Sequence, residues 1–190
     1  MTNPDYDQSF WERLWSKTLR EHPDKVAQRA PNAHLVAEIA DLPPGRALDA
    51  GCGHGAETLW LAARGWHVTA LDFSASALAH GRSTAEALGA EVAERVTWVE
   101  GDLSLWIPPP AHFQLVVSLY VHVAGSVDEM VRRMASAVAP GGILFLVGHR
   151  PIDPATGAAT GAAGQQQVSV EGAVAALEPQ RWERLVAEER

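Results

Sequence analysis

Three glycines stand at alternate positions, Gly51, Gly53 and Gly55, in the stretch LDAGCGHGAETLWLA. They follow a short apolar run and lead into a helical pattern, so the chain turns tightly and a ligand can come close to its backbone. Two arrangements fit the spacing. Gly51-x-Gly53-x-x-Ala56 matches a dinucleotide fingerprint that tolerates Ala at its last position, and Gly51-x-Gly53-x-Gly55 is a glycine loop of another kind. A strand-to-helix turn with no ligand would use the same residues. Asp72 follows Gly51 by roughly 20 residues and ends the next apolar run, where a carboxylate can accept hydrogen bonds from both hydroxyls of a ribose. It can also cap the following helix beside Ser74.

A second group of residues could act on an acceptor. Ser118, Tyr120 and His122 leave one apolar run, SLYVHVAG, and His149 and Arg150 leave the next, GHRP. Imidazole titrates near neutrality, so His122 and His149 are candidate general bases. They could equally satisfy loop carbonyls or face solvent. Two histidines without a third ligand at a recognisable spacing do not make a metal site. Cys52 lies in the glycine loop and reads as a small buried residue.

These residues need elements to hold them. SFWERLWSKTLREH reads as an amphipathic helix with Phe10, Leu14 and Lys17 on one side and Trp11 and Trp15 adjacent. PNAHLVAEIADL reads as a second helix, opened near Pro31 and stopped before Pro43-Pro44-Gly45. The chain then alternates. Strands are expected at 46–50, 66–72, 95–102, 113–121 and 143–148. Helices intervene, one capped by Ser74 and closed by Gly89, another opened by a Ser126–Glu129 capping box and broken at Pro140-Gly141-Gly142. Strands alternating with helices form βαβ units, and runs such as LVVSL and ILFLV are apolar on both faces. The expected fold is α/β, a doubly wound, mostly parallel Rossmann-like sheet with helices on both faces. Residues 151–167, rich in Pro, Gly, Ala and Gln, read as a long mobile loop, SVEGAVAALE as a short helix, and RWERLVAEER as a final strand.

In such sheets ligands bind at the carboxyl ends of the strands, where the glycine loop, Asp72 and both histidines fall. All 190 residues fit one domain: a helical cap over 1–30, a ligand-binding core over 31–150, the loop, and a C-terminal helix and strand over 168–190. The net charge is −8, only Lys17 and Lys25 are lysines, and no basic run occurs, which argues against nucleic acid as a partner. No apolar run is long enough for a membrane span. The polar N-terminus and the single cysteine point to a cytoplasmic protein.

In combination, LDAGCGHGAET, TALDFS, EGDL and APGGILFL resemble the motifs of class I S-adenosylmethionine-dependent methyltransferases across about residues 30–150. The Trp-rich first helix and PNAHLVAEI look like the small-molecule branch, loosely the tellurite-resistance and thiopurine-type enzymes. The resemblance implies S-adenosylmethionine as cofactor, S-adenosylhomocysteine as product and a small-molecule acceptor. It assigns Asp49, Gly51, Gly53 and Gly55 to the methionine arm and Asp72 to the ribose. Phe73, Asp102 and Leu103 go to the adenine, with Ser118 also on the cofactor side. His122 and His149 become the catalytic candidates, and Trp11, Trp15, Tyr120 and Arg150 the acceptor contacts. The loop carries no Lys or Arg, which suits a cofactor without phosphate. Two departures stand out. His54 replaces an acidic residue common in the family, and the usual terminal strand hairpin is incomplete. A lone sixth strand would leave an open edge, to be covered in a homodimer or shielded by Glu183, Arg184, Glu188 and Glu189. An NAD(P)-dependent oxidoreductase remains an alternative through Ala56, though no Tyr-x-x-x-Lys pair accompanies it. A non-catalytic nucleoside-binding module is another.

Overall fold

The computed structural model describes residues 7–27, 29–123, 125–160 and 166–189. Three helices come first, α1 (Gln8–Glu21), α2 (Pro23–Ala27) and α3 (Ala33–Ile39). The alternating part follows: β1 (Arg46–Ala50), α4 (Ala56–Ala63), β2 (His67–Asp72), α5 (Ala75–Leu88), the single turn α6 (Ala90–Ala93), β3 (Val96–Glu100), β4 (Phe113–Leu119), α7 (Val127–Ala137) and β5 (Val138–Val147). A short α8 (Val170–Ala176) closes the regular structure. The caps are the expected ones. Ser74 accepts from the Ala77 N–H at the start of α5, and Ser126 accepts from the Glu129 N–H at the start of α7.

The five strands form one sheet in the order β3-β2-β1-β4-β5, with every paired neighbour parallel. Side chains alternate across it, so each strand feeds two cores. Leu48, Leu71 and Val116 join Met130 and Met134 of α7 on one face. Ala47, Val68, Leu115 and Val117 join Leu35, Ile39, Leu61 and Trp66 on the other. The strand order reverses between β1 and β4, which opens a crevice at their carboxyl ends.

Three expectations are corrected. First, α7 ends at Ala137 and the strand already begins at Val138, running through Pro140-Gly141-Gly142. Ala139 precedes a proline and is pushed out of the helical region, so the helix stops short of it. A register shift between Phe113 and Leu115 absorbs the irregular stretch at this sheet edge. Second, RWERLVAEER forms no strand among the described residues, and Leu185 and Val186 are 71% and 49% exposed. Without a partner among the described residues to complete its hydrogen bonds, the segment makes no strand. Among the described residues the outer strands of the sheet are β3 and β5. Third, the inward face of α1 carries Trp11, Glu12, Trp15 and Ser16, whereas Leu14 is 41% exposed. The 151–167 segment is not all loose. Ile152 and Ala159 form an antiparallel bridge, and Thr160 Oγ1 donates to the Arg150 carbonyl at 2.5 Å. Residues 161–165 lie outside the described residues. No helix among the described residues is long and apolar enough to cross a membrane.

Candidate active site

The glycine loop is tied to β2. The Gly51 and Cys52 N–H groups donate to the Leu71 carbonyl at 2.8 and 3.0 Å, and the Gly53 N–H donates to Asp72 Oδ2 at 2.9 Å. Gly51 and Gly53 have φ of +85° and +53°, a region that side chains rarely adopt. Space is short as well: a Cβ on Gly51 would lie 2.4 Å from Val121, and one on Gly53 2.6 Å from the Trp15 ring.

A cavity of about 350 Å³ opens above this loop, at the switch between β1 and β4. Asp49, Glu57 and Asp72 line it, and Arg29 is the one Lys or Arg among its described lining residues. Asp49 is almost wholly buried and accepts from Thr58 Oγ1 at 2.6 Å. Burial first, then the neighbouring Glu57, push its carboxyl up to about 7 despite that bond. Burial also raises Asp72, against the hydrogen bonds it accepts from the Ser74 and Gly53 N–H groups. Glu57 Oε1 accepts from the Asn32 N–H at 3.0 Å. His54 is held at about 4 by burial, with Arg29 and His80 adding to the effect, so it stays uncharged at neutral pH. This end of the cavity attracts cations and carries little to hold a phosphate.

The other end is a column of rings. Trp11 stacks on His122 (5.9 Å, 18°), His122 on His149 (5.6 Å, 16°) and His149 on Tyr120 (4.5 Å, 29°). Tyr120 has φ +57°, an outlier for an aromatic residue, and its N–H donates to the Val147 carbonyl at 2.7 Å. Its hydroxyl accepts from Asn32 Nδ2 at 3.2 Å. The Gln167 amide brackets the His149 backbone, accepting from its N–H at 2.7 Å and donating to its carbonyl at 2.9 Å. Burial lowers both imidazoles. His149 lowers His122 further, while the Gln166 backbone acts in the opposite direction.

Of the residues expected from sequence, Asp49, Gly51, Gly53, Asp72, Phe73 and Leu103 line the loop side of the cavity. Trp11, Trp15, Tyr120, His122 and His149 line it as well. Four others do not. Gly55, with φ +87°, heads α4, and a Cβ there would meet Trp98 at 2.7 Å, so it serves packing. Asp102 is exposed, and its Oδ1 accepts from the N–H and Oγ of Ser104, both at 2.7 Å. Ser118 is buried beneath the site, and its Oγ has no hydrogen-bond partner among the described residues. Arg150 lies beyond the lining, with its Nε buried and unbonded among the described residues. His122 and His149 lie ring on ring, because their strands are neighbours in the sheet and both carboxyl ends open to one side.

Sequence reasoning missed Arg29, Asn32 and Glu57. Asn32 carried a readable signal, a cap residue after Pro31, and its side chain accepts from the His34 and Leu35 N–H groups. Glu57 sits in the first turn after the loop, where an acid can also serve the helix dipole. Arg29 had no periodic context.

The profile of a protein family described as "Methyltransferase domain" matches residues 47–142. "Ribosomal RNA small subunit methyltransferase C" of Chromohalobacter salexigens is 32% identical over 120 residues, covering 60% of this chain and 34% of that protein. "Probable thiol methyltransferase 2" of Arabidopsis thaliana is 32% identical over 151 residues, covering 77% of this chain and 64% of that one. Among solved structures, an S-adenosylmethionine-dependent methyltransferase from Geobacter sulfurreducens, in complex with S-adenosyl-L-homocysteine, superposes with a TM-score of 0.56 at 26% identity. That match covers 70% of this chain and 54% of the other. The chain spans between about a third and just under two thirds of the length of these curated relatives.

Proposed function

We propose that this chain, which belongs to the methyltransferase-domain family, binds S-adenosylmethionine and passes its methyl group to a small-molecule acceptor, leaving S-adenosylhomocysteine. The observation that carries this reading is the charge of the cavity. Three carboxylates, Asp49, Glu57 and Asp72, surround a glycine loop without a Lys or Arg. A cationic, phosphate-free nucleoside suits those groups, whereas a dinucleotide's pyrophosphate would sit among like charges.

Each residue's role follows from its place. Asp72 faces the cavity at the end of β2, and each of its oxygens keeps acceptor capacity for a ribose hydroxyl beyond the backbone N–H it already takes. Phe73 and Leu103 offer apolar surface to the adenine. Gly51 and Gly53 let the methionine arm approach, with Asp49 and Glu57 near its ammonium. Arg29, the one Lys or Arg among the described lining residues, meets its carboxylate.

When bound, the cofactor supplies a sulfonium methyl that the acceptor's lone pair takes while the C–S bonding pair stays on sulfur. The chain's contribution is alignment and, for a protonated acceptor, a base. His122 and His149, kept neutral by burial, can receive the proton of a hydroxyl or amine acceptor at neutral pH. A thiolate acceptor needs only alignment against the Trp11–Tyr120 column. A small acceptor accords with the cavity volume and the acidic net charge. The single cysteine supports a cytoplasmic setting.

Calorimetric titration with S-adenosylmethionine, S-adenosylhomocysteine and NADH tests the ligand. Tight binding of the first two without the third is expected, and the reverse order overturns the reading. Formation of S-adenosylhomocysteine across a panel of thiols, hydroxyls, amines and carboxylates then separates an enzyme from a non-catalytic binding module.

A further inference from the structure

The α1 helix carries no buried residue, yet it reaches both halves of the cavity. Trp15 lies over Gly53 with its ring 5.3 Å from that of His54, and Trp11 stacks on His122. A helix with no buried residue needs something specific to hold such a pose, and one carboxylate makes three hydrogen bonds to the start of α5. Glu12 Oε2 accepts from Ser74 Oγ at 2.8 Å and from the Ser76 N–H at 3.2 Å. Its Oε1 accepts from Ser16 Oγ at 3.1 Å and from Ser76 Oγ. The negative charge thus rests on the first turn of α5, where free N–H groups favour an anion. Burial works against the charge, but the hydrogen bonds from Ser76 and Ser74 outweigh it and hold Glu12 below its ordinary value. Gln8 adds a second tie, its Nε2 donating to the Phe73 carbonyl at 3.0 Å.

These anchors are attached directly to the ligand side. Ser74 and Ser76 follow Asp72 and Phe73, which line the cavity, and the Glu12 charge contributes to raising Asp72. We propose that Glu12 is a positioning residue: its carboxylate latches α1 onto the first turn of α5 and so holds Trp15 as a roof over the cofactor loop, setting how long bound cofactor stays. The proposal rests on the reading that this cavity takes S-adenosylmethionine and its product.

Without the latch, α1 keeps the Gln8 tie to Phe73, the Ser16–Ser76 hydroxyl pair and its aromatic contacts, and opens more often. The cofactor's contacts with Asp49, Asp72 and the loop remain, so the change falls on dissociation more than on association. No described hydrogen bond joins Glu12 to the sheet or to α7, so the rest of the fold should be indifferent to it.

The test uses S-adenosylhomocysteine as probe on the full chain. Stopped-flow tryptophan fluorescence gives its dissociation rate, and hydrogen exchange reports on residues 8–21 against α7. In Glu12→Ala, dissociation is expected to be at least 10-fold faster and exchange in α1 faster, by a larger factor than any change in α7. Glu12→Gln keeps the shape and one acceptor oxygen and is expected to fall between, about 3- to 10-fold faster; it also carries the test if the alanine variant does not fold. Binding with a dissociation rate and α1 exchange equal to wild type in either folded variant overturns the latch and leaves the cofactor reading intact. If the wild-type protein fails to bind S-adenosylhomocysteine, both fall.

Discussion

The imidazoles of His122 and His149 lie ring on ring, 5.6 Å between centroids and 16° from parallel. At that separation a proton on one opposes a proton on the other, and burial disfavours both charges. In His149→Ala the opposing group and part of the cover are removed. The His122 pKa should then rise toward the ordinary histidine value, which NMR titration of its ring protons will show. A pKa that stays put or falls would mean that His149 does not influence His122.

Activity should carry the same signature. Both imidazoles are shifted downward, so a base in this pair remains competent as pH falls through 6.5 and fails only lower. With a hydroxyl or amine acceptor identified, alanine at the residue acting as base should lower turnover by about 10²- to 10⁴-fold with cofactor affinity nearly unchanged. With a thiolate acceptor the change should appear in KM instead. Rate measurements on both variants from pH 5.5 to 9 separate these outcomes. Wild-type kcat and KM in both would place the acceptor elsewhere.

Two aspartates at neighbouring strand ends should behave differently. Asp72 faces the cavity, and Asp72→Asn should weaken S-adenosylhomocysteine by about 1.5 to 3 kcal/mol, roughly 10- to 150-fold, through lost charge-assisted hydrogen bonds. Asp102 is exposed, with one oxygen engaged by Ser104, so Asp102→Ala should stay within about 0.5 kcal/mol of wild type. Calorimetry on the two variants decides. A comparable loss in both would return Asp102 to the adenine.

The parallel sheet was legible because its strands are apolar on both faces and its helices carry local caps such as Ser74 and Ser126. The glycine-loop side of the cavity was largely legible too, since Gly51, Gly53 and Asp72 are fixed by the ends of β1 and β2 and line it. Three things escaped for physical reasons. The backbone bonds that form β5 already at Val138 are set by Phe113 of β4, not by the letters around Pro140. The tail at 181–189 reads as a strand with charged flanks but finds no partner strand among the described residues. The stack of Trp11, His122, His149 and Tyr120 joins four segments, and no spacing along the chain encodes which rings will meet. Nor does the motif show that Gly55 packs against Trp98, far along the chain.

That packing can be tested directly. Gly55→Ala must place a Cβ 2.7 Å from the Trp98 ring at a φ of +87°. A cost of about 1 to 3 kcal/mol in unfolding free energy is expected from strain and overpacking. Trp98→Leu in the same background should recover the steric part and leave the backbone part. Denaturant titration of the single and double variants measures both. An alanine variant as stable as wild type would show that Trp98 yields freely and that Gly55 is there for another purpose.

The last prediction concerns the proton on Asp49. Its carboxyl is raised to about 7, by burial first and by Glu57 next, whereas in the unfolded chain it titrates near 3.8. Between those values the native state holds a proton that the unfolded state has released, so this group's contribution to stability falls as pH rises through that window. A cationic ligand reverses the balance. The ammonium of S-adenosylhomocysteine, and additionally the sulfonium of S-adenosylmethionine, favours the charged carboxylate and draws its pKa down. Binding near pH 6.5 should therefore release protons, in an amount obtained by calorimetry in buffers of different ionisation enthalpy. Release should be larger for S-adenosylmethionine than for its product and should largely disappear in Asp49→Asn, which keeps an oxygen for the Thr58 hydroxyl. The same ligands should stabilise the protein more at pH 7 than at pH 5, in step with the proton released. Proton uptake on binding, or a release unchanged in Asp49→Asn, would place the cationic groups away from Asp49 and assign its buried carboxyl to holding Thr58 alone.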